Sequence, residues 1–330
     1  MTLTIGILGA ARIAPMACIR PARATPGVEV VAVGARDPER ARQFAEKHQI
    51  PNVATGYQEI LDDPAIDAVY NPLPNGLHGF WTLRALDAGK HVLCEKPFAA
   101  NAAEARAVTA AVESRDRVVM EAFHYRYHPM MIRALEVLDA GEIGTIEQVN
   151  TSMCVPLPMP KDIRYQADLA GGALMDIGCY AVHLWRSLSG EEPRPTSARA
   201  TKLRPGIDRA MTAQLATEEG VTGRMECSLL SARLLKLSAK VTGSKGSLTL
   251  FNPLGPHVYN RMKVVTPSGS RVEHFPRKPT YDFQMAAFRD AVERGSEFPT
   301  TPWDAIANME VIDAIYQAAG MEPRTPTKVG

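Results

Sequence analysis

Asp176, Tyr180 and His183 are spaced to share one face of a helix and to take part in proton transfer. Their offsets of four and three residues bring the side chains together on consecutive helical turns. An aspartate one turn from a tyrosine suits general acid–base catalysis. Because a tyrosine phenol ionises only at about pH 10, this chemistry needs a nearby cation at neutral pH. We expect a catalytic Asp176–Tyr180 pair, with His183 either lining the substrate pocket or filling a structural position.

The helix that would carry these side chains is predicted over residues 174–188. Its apolar residues recur at helical intervals and form the predicted buried stripe: Leu174, Ile177, Ala181, Leu184, Trp185 and Leu188. Gly171 and Gly172 precede it, and glycines let the backbone approach a bound molecule without side-chain obstruction. Arg164, upstream of them, is a candidate for substrate binding, and the alternative is a residue of the loop surface.

A second candidate site follows the first apolar run. From Gly9 the chain reads Gly-Ala-Ala-Arg-Ile-Ala, where a dinucleotide-binding turn would read G-x-G-x-x-G. The first glycine permits the tight turn, and Ala14 is small enough for close packing of helix on strand, whereas Ala11 departs from the pattern where the backbone must approach the pyrophosphate. The alternative is an ordinary Gly-Ala-rich turn between a strand and a helix. The residues expected to bind the cofactor here are Gly9, Ala11, Arg12 and Ile13.

The end of the second apolar run decides between NAD and NADP. An NAD site usually has Asp or Glu there, to accept hydrogen bonds from the adenine ribose. This chain has Ala35 at that position, followed by Arg36. A guanidinium pairs with a 2′-phosphate through two hydrogen bonds, and Arg40 adds a second cation one turn later. The sequence therefore favours NADP as cofactor, with NAD as the alternative if Asp37 binds the ribose.

Up to residue 122, short apolar runs alternate with helix-like segments. The runs are Leu3–Leu8, Val28–Ala35, Ala68–Asn71, Val92–Glu95 and Val118–Glu121. The helix-like segments are Pro38–His48, Tyr57–Asp62, Leu77–Ala88 and Ala102–Ser114. This alternation predicts an α/β domain over residues 1–122, a Rossmann-type doubly wound parallel sheet that binds a dinucleotide.

Residues 123–330 have a different rhythm, with many short runs separated by turn residues. The runs are Thr196–Lys202, Met211–Thr217, Gly223–Leu229, Ser238–Thr242, Ser247–Leu250, Met262–Thr266 and Arg271–His274. They predict an α+β domain with a large, mostly antiparallel open sheet and helices on one face, which would bind substrate and form oligomers. A second subunit commonly covers the free face of such a sheet. We therefore expect a homodimer or higher homo-oligomer through this sheet, and the alternative is a monomer with a solvated face.

Composition and charge argue against several other classes of protein. A net charge of +1 over 330 residues gives no reason to expect nucleic acid or an anionic membrane as partner. The apolar runs are shorter than the roughly 18–20 residues of a membrane span, and no basic, signal-like segment precedes the first strand. The five cysteines are scattered without a C-x-x-C pair, which favours reduced thiols in a cytoplasmic protein and no metal site.

Five stretches of the sequence together resemble the Gfo/Idh/MocA oxidoreductases. They are GILGAARIA (6–14), YNPLPNGLH (70–78), GKHVLCEKPFA (89–99), EAFHYRYHP (121–129) and GGALMDIGCYAVH (171–183). Within that family the chain is most similar to the branch of dimeric dihydrodiol dehydrogenases, NADP-dependent xylose dehydrogenases and glucose–fructose oxidoreductase. The resemblance runs from residue 3 to about residue 190 with matching motif order.

The resemblance implies roles for individual residues. Lys96 lies in the motif Glu-Lys-Pro at the end of a parallel strand, and the family's lysine there faces the substrate, where an ammonium stabilises the reacting oxygen. Tyr180 matches the family's catalytic acid/base, and Asp176 matches the aspartate that binds substrate or orients its neighbours. The peptide bond before Pro97 is often cis in the family. The residues implied to lie near the nicotinamide and its ribose are Pro72, Leu73, Asn75, His78, Glu95, Lys96, Pro97 and Arg126.

These observations lead to one hypothesis about function. The chain transfers a hydride between NADP(H) and a hydroxyl-bearing carbon of a sugar, a polyol or a cyclic dihydrodiol, with Lys96 and Tyr180 as the catalytic pair and with no metal. Two alternatives remain: an NAD-dependent glycosidase of the same fold, and a non-catalytic regulator that binds NADP and a sugar.

Overall fold

The computed structural model describes residues 2–159, 162–231 and 235–329. The contacts between residues divide the chain into two compact units. The first unit is Met1–His124 with Tyr281–Ile306 and Lys328–Gly330, and the second is Tyr125–Thr280 with Ala307–Thr327. The chain therefore returns to the first unit after most of the second is complete. The assignment of residues 123–330 to one domain for substrate binding and oligomerisation stays a prediction.

A six-stranded parallel sheet forms the centre of the first unit. Its strands are β1 (Leu3–Leu8), β2 (Val28–Gly34), β3 (Asn52–Ala54), β4 (Ala68–Asn71), β5 (His91–Cys94) and β6 (Val119–Glu121). Their spatial order is β3-β2-β1-β4-β5-β6, and all neighbours are parallel. The order reverses between β1 and β4, and open parallel sheets bind ligands beyond the carboxyl ends of the strands at such a point.

Helices connect these strands. They are α1 (Arg20–Ala24), α2 (Pro38–His48), α3 (Tyr57–Asp62), α4 (His78–Asp87) and α5 (Ala102–Glu113), with a π-helical turn over Pro15–Ile19 before α1. The predicted Rossmann fold is confirmed. Strand β3 is absent from the sequence prediction because it is only three residues long and two of them are exposed.

An eight-stranded sheet forms the centre of the second unit. Its strands are β7 (Ile146–Cys154), β8 (Arg194–Arg204), β9 (Ile207–Ala216), β10 (Thr222–Ser228), β11 (Lys236–Gly243), β12 (Gly246–Phe251), β13 (Arg261–Thr266) and β14 (Gly269–Glu273). The order is β14-β13-β12-β11-β7-β10-β9-β8, and only the β7–β10 pair is parallel among these strands. The mostly antiparallel sheet is therefore confirmed. The later helices of the chain are α6 (Pro129–Asp139), α7 (Cys179–Ser189), α8 (Thr280–Arg294) and α9 (Pro302–Ala318).

Strand β7 lies in the middle of the second sheet, yet no local pattern in the sequence predicts it. Its residues IEQVNTSMC are mostly polar, so no apolar run marks it. Alternate side chains at Val149, Thr151 and Met153 are buried. The Thr151 hydroxyl donates to the Ala181 carbonyl at 3.0 Å, and the Trp185 indole N–H donates to the Val149 carbonyl at 2.7 Å. The position of β7 is therefore determined by its packing against α7 and not by a local apolar run.

The segment predicted as one helix over residues 174–188 forms in two parts. Leu174–Gly178 is a π-helical turn, and α7 follows directly. Ile177, expected in the buried stripe, is partly exposed, because the wider turn changes the direction of its side chain. The other members of the predicted stripe are buried, and burial in α7 extends beyond the stripe, since only Ser187 of that helix is partly exposed.

Three further findings concern the described part of the chain. Its cysteines are all buried free thiols. No group of three or more His, Cys, Asp or Glu side chains is arranged there to hold a metal ion. No helix in these ranges is both long enough and apolar enough to cross a membrane.

Candidate active site

The turn after β1 has the tight geometry that a dinucleotide-binding turn needs. Gly9 has a φ of +104°, which favours glycine, and a Cβ there would lie 3.1 Å from the Leu73 side chain. The Gly9 N–H donates to the Gly34 carbonyl at 2.7 Å, and the Ala11 N–H donates to the Gly9 carbonyl at 2.8 Å. Ala14 is fully buried, as close packing of helix on strand requires. A side chain at Gly9 would therefore fill the space between this turn and Leu73.

Of the residues after β2, one packs in the core and two carry positive charge. Ala35 is buried in a small cluster with Ala10 and Ala41, whereas Arg36 is exposed. Arg40 donates from Nη2 to the Ala10 carbonyl at 2.9 Å, which holds its guanidinium against the Gly9 turn. Two cationic side chains therefore lie where the sequence predicts the adenine ribose.

Asp37 has a structural role at the start of α2. Its Oδ1 accepts the N–H groups of Glu39 at 3.0 Å and of Arg40 at 3.3 Å, so it is the N-cap of α2. A carboxylate oxygen that caps a helix is already engaged by the protein. This weakens the alternative in which Asp37 binds the ribose of NAD.

Tyr57, at the start of α3, belongs to the same region, although no motif in the sequence marks it. The backbone and the guanidinium of Arg36 lie near its hydroxyl and favour its ionised form. The same oxygen lies 3.8 Å from the position of a Cβ on Gly9. Burial raises the pKa of Tyr57, and the charge of Arg36 opposes that rise. Tyr57 therefore connects Arg36 to the Gly9 turn, a contact between distant residues that no local pattern reveals.

His78 joins two loops that the resemblance assigns to the cofactor. The ring is buried, with Nε2 2.7 Å from the Leu73 carbonyl oxygen and Nδ1 2.7 Å from the Pro97 carbonyl oxygen. Carbonyl oxygens only accept hydrogen bonds, so two good bonds would require the imidazolium. Burial, with the nearby charge of Lys96, nevertheless lowers the pKa of His78 to about 4. At neutral pH the neutral ring donates to one carbonyl, and we assign His78 the role of holding the loops together.

The titration of His78 should make the stability of the protein depend on pH. The pKa is about 4 in the folded protein against an ordinary value of 6.5, so the unfolded chain binds more protons between these values. The free energy of unfolding should therefore fall as pH drops from 6.5 towards 4, by up to about 3 kcal/mol from this residue. Urea unfolding across this range tests it, because His78→Gln should lack that component. Equal pH slopes in both proteins would contradict the assignment.

The Glu95-Lys96-Pro97 turn follows β5 and is held from both sides. The Tyr70 hydroxyl donates to Glu95 Oε1 at 2.8 Å, and Glu121 Oε1 accepts the Phe98 N–H at 2.8 Å. The peptide bond between Lys96 and Pro97 is cis. Glu95 and Pro97 are buried, whereas Lys96 is partly exposed. The turn is therefore fixed by buried groups, and Lys96 is the one of its three residues that reaches the surface.

The remaining residues predicted to bind the cofactor lie in the loop after β4 and in the second unit. Pro72 and Leu73 are buried, and Asn75, partly exposed, begins a short 3-10 turn. Arg126 is partly exposed in a 3-10 turn between His124 and Tyr127. Their contacts with a cofactor, like those of Arg12 and Ile13, stay predictions.

In the second unit, Arg164 and Asp176 form an ion pair. Arg164 Nε lies 3.0 Å from Asp176 Oδ2, and its Nη1 lies 3.2 Å from Asp162 Oδ1. Both residues are predicted to bind substrate, and the structure brings them together. One guanidinium is thus shared between two carboxylates, and Asp162 is a partner that no motif in the sequence marks.

His183 is buried and bonded to a neighbouring tyrosine. Its Nδ1 lies 2.6 Å from the Tyr125 hydroxyl, and the Tyr125 ring centre is 6.1 Å from that of Tyr180. Tyr180 is nearly buried, with 5 % exposure. His183 therefore has a structural partner next to the predicted acid/base. Lys96 belongs to the first unit and Tyr180 to the second, so their approach stays a prediction.

Two family models match the chain in turn. The Gfo/Idh/MocA model described as an oxidoreductase family with an NAD-binding Rossmann fold matches residues 3–123, and the Gfo/Idh/MocA C-terminal domain matches residues 131–249.

Three proteins illustrate the similarity. A D-xylose 1-dehydrogenase (NADP(+)) of Haloferax volcanii is 35 % identical over 96 % of this chain and 97 % of its own. The human trans-1,2-dihydrobenzene-1,2-diol dehydrogenase is 36 % identical over 68 % of this chain and 67 % of its own. KijD10, a 3-ketoreductase of Actinomadura kijaniata crystallised with NADP and TDP-benzene, has a TM-score of 0.88 at 30 % identity, covering 96 % of this chain and 98 % of its own. Lysine and tyrosine variants of KijD10 were also crystallised with both ligands.

The relatives include the dehydrogenase types that the motifs indicated. Both halves of the chain match one family, in the order in which its two domains occur. The chain belongs to the Gfo/Idh/MocA family of oxidoreductases.

Proposed function

We propose that the chain catalyses reversible hydride transfer between NADP(H) and a hydroxyl-bearing carbon of a sugar, a polyol or a cyclic dihydrodiol. The observation that carries the proposal is the position of Lys96 in the Glu95-Lys96-Pro97 turn, at the carboxyl end of a parallel strand. Buried groups hold this turn, and Lys96 is the one of its three residues that is partly exposed. The replaced lysine and tyrosine of KijD10 are separated by the same number of residues as Lys96 and Tyr180. This supports the assignment of these two residues as a catalytic pair.

In the proposed mechanism one residue transfers the hydroxyl proton and another stabilises the charge on the reacting oxygen. When bound, NADP supplies a nicotinamide that accepts the hydride from the substrate carbon. Tyr180 accepts the hydroxyl proton, and the Lys96 ammonium stabilises the oxygen as negative charge develops on it. Asp176, fixed by Arg164, orients the hydroxyl group. In the reductive direction Tyr180 returns the proton to the carbonyl oxygen.

We propose NADP as the preferred cofactor. Arg36 and Arg40 supply two cations beside the Gly9 turn, Ala35 offers no carboxylate, and the Asp37 carboxylate caps α2. A 2′-phosphate gains charge-assisted hydrogen bonds in these surroundings, which a ribose hydroxyl would not make. This preference is a matter of charge and is testable by substitution.

Replacing Arg36 by alanine should weaken NADP selectively. A hydrogen bond to a charged group contributes roughly 1.5–3 kcal/mol, so the KM for NADP should rise about 10-fold or more while that for NAD changes little. Initial rates with both cofactors measure the ratio. Arg42→Ala is the matched control, since Arg42 pairs with Glu39 on the exposed side of α2, the helix that follows Arg36. A similar change for NAD and NADP would contradict the 2′-phosphate assignment.

The charges in the second unit favour an uncharged substrate. Arg164 is balanced by Asp162 and Asp176, so this group of side chains suits the hydroxyls of a sugar or diol better than a phosphate. A second candidate is reduction of a keto sugar linked to TDP, which the similarity to KijD10 favours.

A spectrophotometric screen tests the proposal, with NADP and NAD against aldoses, polyols, dihydrodiols and glycosides, and with NADPH and NADH against a TDP-linked keto sugar. We expect reduction of NADP with at least one of the uncharged substrates. Turnover of the TDP-linked sugar alone would support the second candidate. Glycoside cleavage without net change in the cofactor would indicate the glycosidase, and binding without turnover would indicate the regulator.

We also propose that a second copy of the chain covers the sheet face opposite α7. This face carries a polar group in which Glu226 Oε1 accepts from the Ser152 hydroxyl at 2.9 Å and from Lys236 Nζ at 2.7 Å. Light scattering should give the mass of at least a dimer, and a monomer at micromolar concentration would contradict this.

A cytoplasmic location stays a prediction.

A further inference from the structure

A buried ionic cluster lies at the start of the segment that carries Asp176 and Tyr180. Asp208, from β9, accepts hydrogen bonds at Oδ1 from Arg324 Nη2 at 2.7 Å and from the Tyr316 hydroxyl at 3.0 Å. The Arg324 guanidinium also lies over the Tyr316 ring, 4.4 Å from its centre. Asp208 and Tyr316 have no exposed surface, and Arg324 has 7 %. Neither the motifs nor the proposed function uses these residues.

The cluster binds the backbone on both sides of the turn at Gly172. Arg324 Nε donates to the Gly171 carbonyl at 2.7 Å, and the Leu174 N–H donates to Asp208 Oδ2 at 2.7 Å. Gly172 has a φ of +132°, and a Cβ there would lie 2.2 Å from Asp208 Oδ1. Gly172 therefore lies against the Asp208 carboxylate, and there is no room for a side chain at this position.

The same contacts fix where the catalytic segment begins. The Asp176 N–H donates to the Gly172 carbonyl at 3.0 Å, so Asp176 follows the turn directly, and Tyr180 lies one turn further along. Because buried backbone in regular hydrogen-bonded structure moves as a unit, a shift of the turn would be passed on to both side chains. A third Arg324 bond, from Nη1 to the Gly206 carbonyl at 2.7 Å, ties the guanidinium to the strand end that carries Asp208.

We propose that Arg324 and Asp208 are positioning residues for Asp176 and Tyr180, so that the C-terminal segment after α9 sets the geometry of proton transfer. This inference rests on the proposed function, because it assumes that Tyr180 moves the proton. Arg324 is suited to the role because a planar guanidinium donates in three fixed directions at once. A lysine keeps the charge but presents a single compact ammonium, which cannot reach Gly171, Gly206 and Asp208 together with the same geometry.

The test is Arg324→Lys, assayed with the substrate found by the screen. We expect kcat to fall about 10- to 100-fold, since misplacement of a catalytic group by about 1 Å has effects of that size. The dissociation constant for NADPH, measured by fluorescence, should stay unchanged. Arg186→Lys is the matched control, because Arg186 is a buried arginine of α7 that pairs through two bonds with Glu192 near the end of that helix. It should lower Tm while leaving kcat within about twofold.

A double substitution separates positioning from general stability. If Arg324 acts through Tyr180, Arg324→Lys should lower kcat much less in a Tyr180→Phe background than in the native chain. The loss of kcat in the double variant should then be smaller than the product of the two single losses. Multiplying effects, or normal kcat in a folded Arg324→Lys protein, would overturn the inference. If that variant fails to fold, Tyr316→Phe removes only one bond to Asp208 and should lower kcat about threefold. An unchanged kcat there would then count against the inference.

These outcomes remain distinct from failure of the proposed function. Full turnover in Tyr180→Phe alone would remove the assumption on which the positioning role depends. Loss of turnover in Tyr180→Phe together with normal kcat in Arg324→Lys would overturn only the positioning role.

Discussion

Lys96→Ala should bind NADPH normally and turn over about 10²–10³ times more slowly than the native enzyme. Loss of one donor to a developing oxyanion has an effect of that size in other enzymes. The substitution leaves in place the buried groups that hold this turn, Glu95 with Tyr70 and Glu121 with the Phe98 N–H. Binding and stability should therefore survive, and the loss should appear in kcat.

The Lys96 experiment compares kcat, NADPH affinity and Tm of the variant with those of the native chain. Lys47→Ala, at an exposed lysine of α2 in the same unit, is the control and should leave all three unchanged. If the ammonium also favours the ionised tyrosine, the residual activity of Lys96→Ala should recover as pH is raised. Unaltered kcat in Lys96→Ala would end the assignment of Lys96 as a catalytic residue.

Tyr180→Phe should lower kcat about 10²–10⁴-fold, the range that general acid–base assistance contributes. The ring stays in place, so the packing beside Tyr125 and His183 should be preserved. Removal of the hydroxyl deletes the proton acceptor and leaves the cofactor site in the first unit intact. The substitution therefore isolates proton transfer from binding.

Two measurements make the Tyr180 result specific. The dependence of kcat on pH should lose the limb that reports the proton acceptor, because the phenylalanine ring of the variant cannot titrate. A primary isotope effect on kcat with substrate deuterated at the reacting carbon should show that the slowed step includes hydride transfer. Tyr259→Phe, at an exposed tyrosine of the same unit, should change neither quantity. A native pH profile in Tyr180→Phe would mean that another group takes the proton.

Much of the first unit follows from local signals in the sequence. Strands β1 and β4 and helices α2 and α3 have the bounds that the sequence predicts. Apolar runs mark the strands because buried parallel strands are apolar on both faces. Helix α2 begins at Asp37-Pro38 because a capping carboxylate followed by proline stabilises a first turn. Such signals lie within a few residues of the element they define.

The candidate site follows only in part from the sequence. The motifs locate Lys96 at a strand end and place Asp176 and Tyr180 one helical turn apart, since these relations depend on short spacings. The ion pair of Asp176 with Arg164 and the bonding of His183 to Tyr125 required the structure. The π-helical turn over Leu174–Gly178 also escaped prediction, because the same residues fit a regular helical stripe.

The sequence by itself determined the family, the two kinds of sheet and the residue types available for chemistry, because each depends on periodicity or a short motif. Tertiary structure alone decided that β7 is a central strand, that Tyr57 contacts Arg36 and that Arg324 pairs with Asp208. Arg324 and Asp208 are 116 residues apart in the chain. A polar residue carries no local mark of a distant partner, since the bond forms only when folding has buried both groups and removed the water that each would otherwise bind.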